Sequence, residues 1–187
     1  MGAPLARGEV GHMTLRSDVL RRNAPETLSL YLSGGFTEAD CRKPLVLVHS
    51  TFGQSHSGSY HLDRLVRQAT LGIHEAGGAA FGYTTTDLCD GVAIGHDGMN
   101  YVLPSREFMA GMIEAYVQGH AFDAAVLTAS CDKAVPAALI ATARLRNEIP
   151  VVILPGGSGG IGSCYLLSGD IGAAFARVEA GIDPAER

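Results

Sequence analysis

Three successive residues, Cys131, Asp132 and Lys133, carry a thiol, a carboxylate and an amine. Such a group could bind a soft metal centre and a hard cation side by side, because sulfur is a favoured ligand of iron and oxygen is a favoured ligand of magnesium. An ordinary structural role also remains open, since an Asp–Lys pair is often solvated and a single cysteine often packs as a small apolar side chain. The position of this cluster in the fold therefore bears on whether it binds a metal or has only a structural role.

A second cluster lies at residues 90–99, where an aspartate and a histidine are separated by glycines. Glycine permits backbone conformations that could bring Asp90 and His96 to the same opening. A carboxylate can bind a hard cation, and a histidine can carry a proton near neutral pH. We therefore consider Asp90 as a metal ligand and His96 as a proton carrier or substrate contact, although spacing alone does not decide either role.

Strand and helix patterns alternate along the chain from about residue 44. Short apolar runs predict buried strands at residues 45–48, 79–83, 124–128 and 151–154. Apolar spacing with start and stop signals predicts helices over residues 62–75, from about 104 to 117, and from near Pro136 to about Arg146. The alternation predicts an α/β fold, a three-layer sandwich with a mostly parallel sheet covered by helices on both faces.

Ligands bind beyond the carboxyl ends of the strands in sheets of this kind. The loops that follow those ends begin near His49, Thr84, Ala129 and Pro155. Both candidate clusters follow a predicted strand, so we expect them to meet at this edge of the sheet. The glycine-rich residues 155–162 lack the lysine of a phosphate-binding loop and are interpreted as a surface loop.

Length and composition favour one compact domain, because 187 residues with 47% hydrophobic content can bury a sizeable core. We expect residues 1–40 to form an N-terminal arm with a helix and residues 41–187 to form the α/β domain. The net charge of -5 argues against a nucleic-acid partner. Four widely spaced cysteines without a CxxC pair, and no apolar run long enough to span a membrane, predict a cytoplasmic protein.

Two long segments carry a resemblance to a known family. The sequence DGVAIGHDGMNYVLPSRE at residues 90–107 and the sequence CDKAVPAALIATARL at residues 131–145 resemble signature segments of the family that contains dihydroxyacid dehydratase, phosphogluconate dehydratase and the sugar-acid dehydratases. Shorter similar segments are LRSD at 15–18, HLDRL at 61–65, EAGG at 75–78 and IPVVILPGG at 149–157. The resemblance covers roughly residues 15–160 and is limited to the N-terminal domain of that family, so we expect a truncated member.

The resemblance implies a reaction, a metal and a cluster. Members of this family remove water from a hydroxylated carboxylic acid. Asp90 and Asp132 match the magnesium ligands, and Lys133 matches a carbamylated lysine that joins the same ion. Cys131 matches a ligand of an iron–sulfur cluster whose open iron acts on the departing hydroxyl while magnesium holds the substrate carboxylate.

The chain departs from the family pattern at its cysteines. Gly58 stands where one branch has another cluster cysteine, and Ser59 stands where a second branch, which also has glycine, has a histidine. At least three cysteine ligands are expected for a cluster with one open iron. Cys89, which replaces the usual Asp or Ser, or Cys164 could supply a missing thiolate, whereas Cys41 is expected to pack near the first strand.

Three functions follow as alternatives. In the first, the chain is a small subunit or stand-alone fragment of a dehydratase, and a partner chain carrying the C-terminal domain supplies the remaining cysteines and the base. This hypothesis predicts a homo-oligomer or heteromer with an exposed apolar or charged face. In the second, the domain is cluster-free and catalyses another reaction on a carboxylate or enolate in specialised metabolism. In the third, it is a noncatalytic binding module.

Overall fold

A computed structural model of the chain describes residues 14–24, 26–145 and 148–157. Its strands are β1 (Leu45–Ser50), β2 (Ala79–Thr84), β3 (Ala124–Ala129) and β4 (Val151–Pro155). Its helices are α1 (Asp18–Asn23), α2 (Glu26–Ser33), α3 (Leu62–Glu75), α4 (Asp90–Ala93), α5 (Val102–Gly119) and α6 (Cys131–Arg144). None of the helices in these residues is both long and apolar enough to cross a membrane.

The four strands form one parallel sheet in the order β2-β1-β3-β4. Successive residues of a strand point to opposite faces of the sheet. Leu45 and Leu47 of β1 belong to the main core with residues of α5 and α6, whereas Val46 lies on the other face, near Ile73 of α3. Helices therefore cover both faces, which confirms the predicted α/β sandwich.

Close packing of α6 on α5 fixes where α6 begins. Its core-facing side chains are small and fully enclosed, as Ala134, Ala137, Ala138 and Ala141. Alanine lets the helix axes approach closely, and the larger partners Met109 and Ile113 of α5 fill the remaining space. This packing holds the first turn of α6 directly beyond the carboxyl end of β3.

The predicted start of this helix near Pro136 is wrong. Helix α6 begins at Cys131, and Pro136 lies inside it. Proline has no N–H, so it cannot donate to the carbonyl of Asp132, but the later turns are stabilised by their burial against α5. The earlier start places Cys131, Asp132 and Lys133 in the first helical turn. The helix ends at Arg144, and Arg146, where we expected it to end, lies outside the described residues.

The segment before β1 is attached to the same core. The carboxylate of Asp123 accepts hydrogen bonds from the backbone N–H and the hydroxyl of Ser17, at 2.9 and 2.6 Å, and from the N–H of Leu45 at 2.7 Å. Phe36 stacks on Phe81 of β2 with ring centroids 4.0 Å apart. The described part of residues 1–40 thus packs on the sheet, and the boundary near residue 40 remains a prediction.

Candidate functional site

Polar side chains link the carboxyl ends of the three adjoining strands β1, β2 and β3. His49, at the end of β1, is 1% exposed, and its Nε2 lies 2.8 Å from Oγ1 of Thr85 just after β2. The hydroxyl of Thr128 in β3 donates to the carbonyl oxygen of His49 at 3.0 Å. These bonds fix the three loops that follow the strands relative to one another.

Asp90, Asp132 and Lys133 meet at this edge of the sheet. The Nζ atom of Lys133 lies 2.6 Å from Oδ2 of Asp90 and 2.7 Å from Oδ2 of Asp132. Asp90 begins α4 after β2, whereas the other two residues belong to the first turn of α6 after β3. The Oδ1 atom of Asp90 is buried and has no hydrogen-bond partner among the described residues. One oxygen therefore remains free to bind a further cation.

The charges of this triad stabilise one another. Hydrogen bonds to Asp132 and to Asp90 raise the pKa of Lys133 above its ordinary value. Burial alone would raise the pKa of Asp132, but the hydrogen bonds of its carboxylate, that with Lys133 foremost, and the Lys133 charge together outweigh burial and lower the pKa. The described arrangement is therefore an ammonium ion between two carboxylates, with a formal excess of one negative charge.

Cys131 adopts an unusual backbone conformation at the start of α6. Its φ is 67°, in the left-handed region that side chains other than glycine rarely occupy, and it follows Ser130 in an extended conformation. Burial raises the pKa of its thiol to about 12, so the free thiol keeps its proton at neutral pH. Strained residues of this kind often occur at functional sites. A bound metal ion would be needed to make this sulfur a thiolate.

Cys89 and His56 lie next to Cys131. One donor atom of each residue, two thiol sulfurs and one imidazole nitrogen, lies within 4.8 Å of the other two. His56 was not predicted as a site residue, because its position depends on the conformation of the loop between β1 and α3. Cys89 was considered as a replacement for a missing thiolate, and the structure places it beside Cys131.

A buried carboxylate adjoins this second group. The side chains of Asp87 and His56 are 1% and 3% exposed, and Oδ2 of Asp87 lies 3.3 Å from Nε2 of His56. The alignment is not that of a hydrogen bond, and neither oxygen of Asp87 has a hydrogen-bond partner among the described residues. Burial raises the pKa of Asp87, although the neighbouring imidazole opposes the shift. The carboxylate thus has a neighbouring imidazole but none of the hydrogen bonds that normally compensate a buried anion.

His96 is engaged locally. Its Nε2 lies 3.0 Å from the carbonyl oxygen of Val92, and its Nδ1 accepts a hydrogen bond from the N–H of Gly98 at 3.0 Å. The side chain caps the short 3-10 helix Asp97–Tyr101 and is exposed. None of its hydrogen bonds within the described residues reaches Asp90, Asp132 or Lys133. Its role in proton transfer remains a prediction.

The remaining cysteines are separate from the site or outside the described residues. Cys41 is buried just before β1, as expected, and helps to line a cavity of about 350 Å³ between the N-terminal helices and the amino end of β1. This cavity is apolar and lies at the opposite end of the strands from the ionisable clusters. Cys164 and residues 158–162 of the predicted glycine-rich loop lie outside the described residues.

The fold and the cluster define an α/β domain with a candidate site at the carboxyl ends of its parallel strands, the usual position of ligands in this class. Residues 43–183 match the family described as "Dihydroxy-acid/6-phosphogluconate dehydratase N-terminal", and the chain belongs to this family.

Similar curated proteins carry the name dihydroxy-acid dehydratase. The chain is 40% identical over 146 residues to one from Pyrococcus abyssi, covering 76% of this chain and 26% of that protein. It is 37% identical over 169 residues to one from Caldanaerobacter subterraneus subsp. tengcongensis, covering 89% and 30%. It is 42% identical over 129 residues to "Dihydroxy-acid dehydratase 1" of Methanosarcina acetivorans, covering 69% and 23%. The chain thus spans about a quarter of the length of these relatives.

Proposed function

We propose that this chain forms the N-terminal part of a hydro-lyase that removes water from a hydroxylated carboxylic acid, and that Asp90, Asp132 and Lys133 bind Mg²⁺ for this reaction. The observation that carries the proposal is the meeting of these three side chains at one edge of the sheet in a member of the dehydratase family.

The chemistry of the donors fits Mg²⁺. This ion prefers oxygen ligands, and the buried Oδ1 atom of Asp90 is an acceptor with no hydrogen-bond partner among the described residues. Bound Mg²⁺ would hold the substrate carboxylate and stabilise the negative charge that develops next to it. Asp90 and Asp132 would fix its position, because each side chain starts from a regular helix.

Lys133 must change its charge in this proposal. An ammonium group beside Mg²⁺ would repel it, whereas a carbamate on the same Nζ atom would supply an anionic oxygen. The two carboxylates that now hold the ammonium group would then bind Mg²⁺ together with the carbamate oxygen. His96 would act as the proton carrier or substrate contact after exchanging its bonds to Val92 and Gly98.

An iron–sulfur cluster held by three cysteines does not fit the described residues. They bring together only two thiols, Cys89 and Cys131, with the imidazole of His56. Cys41 lies at the other end of β1. We therefore draw no catalytic step through a cluster. The same observation favours a second candidate, a cluster-free enzyme of dehydratase-like fold that acts on a carboxylate or enolate.

We also propose that a further polypeptide segment covers the site. Large apolar side chains are exposed in the segment that follows Asp90, at Val92, Ile94, Met99, Tyr101 and Leu103. Apolar side chains concentrated in this way are typical of surfaces that become buried by a partner. The covering segment would contribute the base.

Reconstitution tests the proposed reaction. The chain would be coexpressed anaerobically with the part of the Pyrococcus abyssi relative that follows its matched region, and supplied with Mg²⁺ and either a 2,3-dihydroxy carboxylic acid or 6-phosphogluconate. We expect formation of a 2-keto acid from one of these substrates, with a loss of at least about 100-fold in kcat/KM for Asp90→Asn.

The matched control replaces this chain with the relative's own N-terminal part in the same system, and Asp97→Asn serves as a control substitution outside the triad. Activity of the control pair without activity of the pair containing this chain would contradict the proposed reaction. Full activity of Asp90→Asn would contradict the assigned metal site.

A further inference from the structure

Three soft or borderline donors converge from three different loops beside the magnesium candidate. His56 comes from the loop after β1, Cys89 from the residue before α4, and Cys131 from the start of α6. Their donor atoms lie within 4.8 Å of one another. In a tetrahedral site with metal–sulfur bonds of about 2.3 Å and metal–nitrogen bonds of about 2.0 Å, such donors lie about 3.5 to 3.8 Å apart. A single ion could therefore bind after small side-chain rotations, provided that His56 exchanges one of its two hydrogen bonds, from the N–H of Gly58 to Nδ1 at 3.1 Å or between Nε2 and the Ser59 hydroxyl at 2.6 Å, for the metal.

Gly58 makes room for the imidazole of this group. A Cβ atom at position 58 would lie 3.0 Å from Cε1 and Nδ1 of His56 and from Oγ of Ser130, which is closer than an unstrained contact. The N–H of Gly58 donates to that Nδ1 at 3.1 Å, and its carbonyl oxygen accepts a hydrogen bond from the hydroxyl of Ser130. The glycine thus lets the His56 ring lie against the loop and attaches the loop to the residue before Cys131.

Charge also points to a cation at this place. The carboxylate of Asp87 is buried beside His56 and has no hydrogen-bond partner among the described residues. A bound divalent ion would compensate this charge, and carboxylates that contact a ligating histidine are common around protein metal sites. Cys131 adopts a left-handed conformation, which is sterically unfavourable for a residue with a Cβ atom, and its sulfur lies near that of Cys89.

We propose that His56, Cys89 and Cys131 bind one thiophilic divalent cation of the Zn²⁺ class, separate from the site formed by Asp90, Asp132 and Lys133. Three protein ligands leave one tetrahedral position open, which is the arrangement of catalytic rather than structural zinc sites. The open position would accept water or an oxygen atom of the substrate. Binding of this cation would not require dehydratase activity.

Anaerobic titration of the reduced full chain with Co²⁺, a coloured substitute for Zn²⁺, tests the proposal. We expect one equivalent to bind with the intense visible bands of tetrahedral cobalt and a thiolate-to-cobalt charge-transfer band, and Zn²⁺ to displace it. His56→Ala, Cys89→Ser and Cys131→Ser should each weaken binding at least about 10-fold. Cys41→Ala and the exposed His74→Ala are the matched controls and should bind as the unchanged protein does.

Gly58→Ala provides a test that removes no ligand. Its methyl group should displace the His56 ring and weaken Co²⁺ binding, whereas Gly53→Ala in the same loop, where a Cβ meets nothing within 4 Å, should have no effect. Far-UV circular dichroism verifies that each variant is folded. Unchanged binding in folded Cys89→Ser and Gly58→Ala proteins, or isolation of the chain with iron and acid-labile sulfide on these residues, would overturn the proposal. Asp90→Asn should retain Co²⁺, which separates this site from the proposed magnesium site.

Discussion

Lys133 determines the charge of the candidate magnesium site. As an ammonium ion it neutralises one of its two neighbouring carboxylates, and its hydrogen bonds raise its pKa, which opposes both deprotonation and metal binding. A cation can replace it only if the lysine is modified or moves away. The convergence of Asp90, Asp132 and Lys133 follows from their places after neighbouring parallel strands, whereas their protonation states depend on contacts that the sequence does not specify.

Bicarbonate should therefore promote metal binding. Carbamylation of Lys133 removes a positive charge and adds an oxygen ligand, so Mn²⁺, used as a substitute for Mg²⁺, should bind at least about 10-fold more tightly with added bicarbonate. Lys133→Arg cannot form the carbamate and should show no such increase. Isothermal titration calorimetry at constant pH and ionic strength measures both affinities. An equal response of the Lys133→Arg protein would show that bicarbonate acts elsewhere.

His49 should make the stability of the fold depend on pH. Burial lowers its pKa to about 4, so between pH 6.5 and 4 the unfolded chain binds a proton that the folded chain does not. The contribution of His49 to the free energy of unfolding should therefore be constant above pH 7 and should have fallen by up to about 2 kcal/mol at pH 5. Urea unfolding of the unchanged protein, His49→Gln and the exposed control His74→Gln measures the difference. A pH dependence that persists in folded His49→Gln would contradict this assignment.

The elements were more predictable in their type than in their ends. All four strands were predicted within two residues, because strands buried on both faces are apolar runs. The pattern ended β1 before His49 and Ser50, yet both are strand residues that pair with β2 and β3, and Nε2 of the buried His49 lies 2.8 Å from the hydroxyl of Thr85. The start of α6 was misplaced because the prediction used the usual preference of proline for the first turn of a helix. The packing on α5, which stabilises an earlier start, cannot be read from the sequence.

The first residue of α6 should be strained. Glycine tolerates a φ of 67° without the cost that a Cβ imposes, so Cys131→Gly should be more stable than Cys131→Ala by about 1 kcal/mol. Position 139, an exposed residue of regular helix, provides the control. There Leu139→Gly should be less stable than Leu139→Ala by about 1 kcal/mol. Urea unfolding measures all four variants, and a Cys131→Ala protein as stable as Cys131→Gly would argue against a left-handed conformation.

The α/β architecture was predictable from the sequence, whereas the contacts between loops were not. Alternating strand and helix patterns determine the layers. The position of His56 depends instead on Gly58 and on hydrogen bonds from residues distant in sequence. The attachment of the N-terminal helices through Asp123 is likewise a long-range contact without a sequence pattern.

Asp123 should connect the N-terminal segment to the sheet. Its carboxylate is the acceptor for Ser17 and Leu45, which are almost fully buried, so Asp123→Ala would leave their donors unpaired. We expect a loss of about 3 kcal/mol in the free energy of unfolding, against about 1 kcal/mol for Ser17→Ala. Trypsin should also cleave near Arg21 faster in the Asp123 variant. The exposed control Glu75→Ala should change stability by less than about 0.5 kcal/mol, and an equally small effect of Asp123→Ala would refute this role.

The binding of a hard divalent cation by Asp90 and Asp132 is most directly measured with Mn²⁺ in place of Mg²⁺, by counting free Mn²⁺ with electron paramagnetic resonance in the presence of bicarbonate. The unchanged chain should bind one Mn²⁺ that Mg²⁺ displaces. Asp90→Asn and Asp132→Asn should each weaken binding at least about 10-fold, while the exposed control Asp97→Asn should have no effect. Absence of binding by the unchanged chain, or equal binding by folded Asp90→Asn and Asp132→Asn proteins, would contradict the assignment of this cluster as the magnesium site.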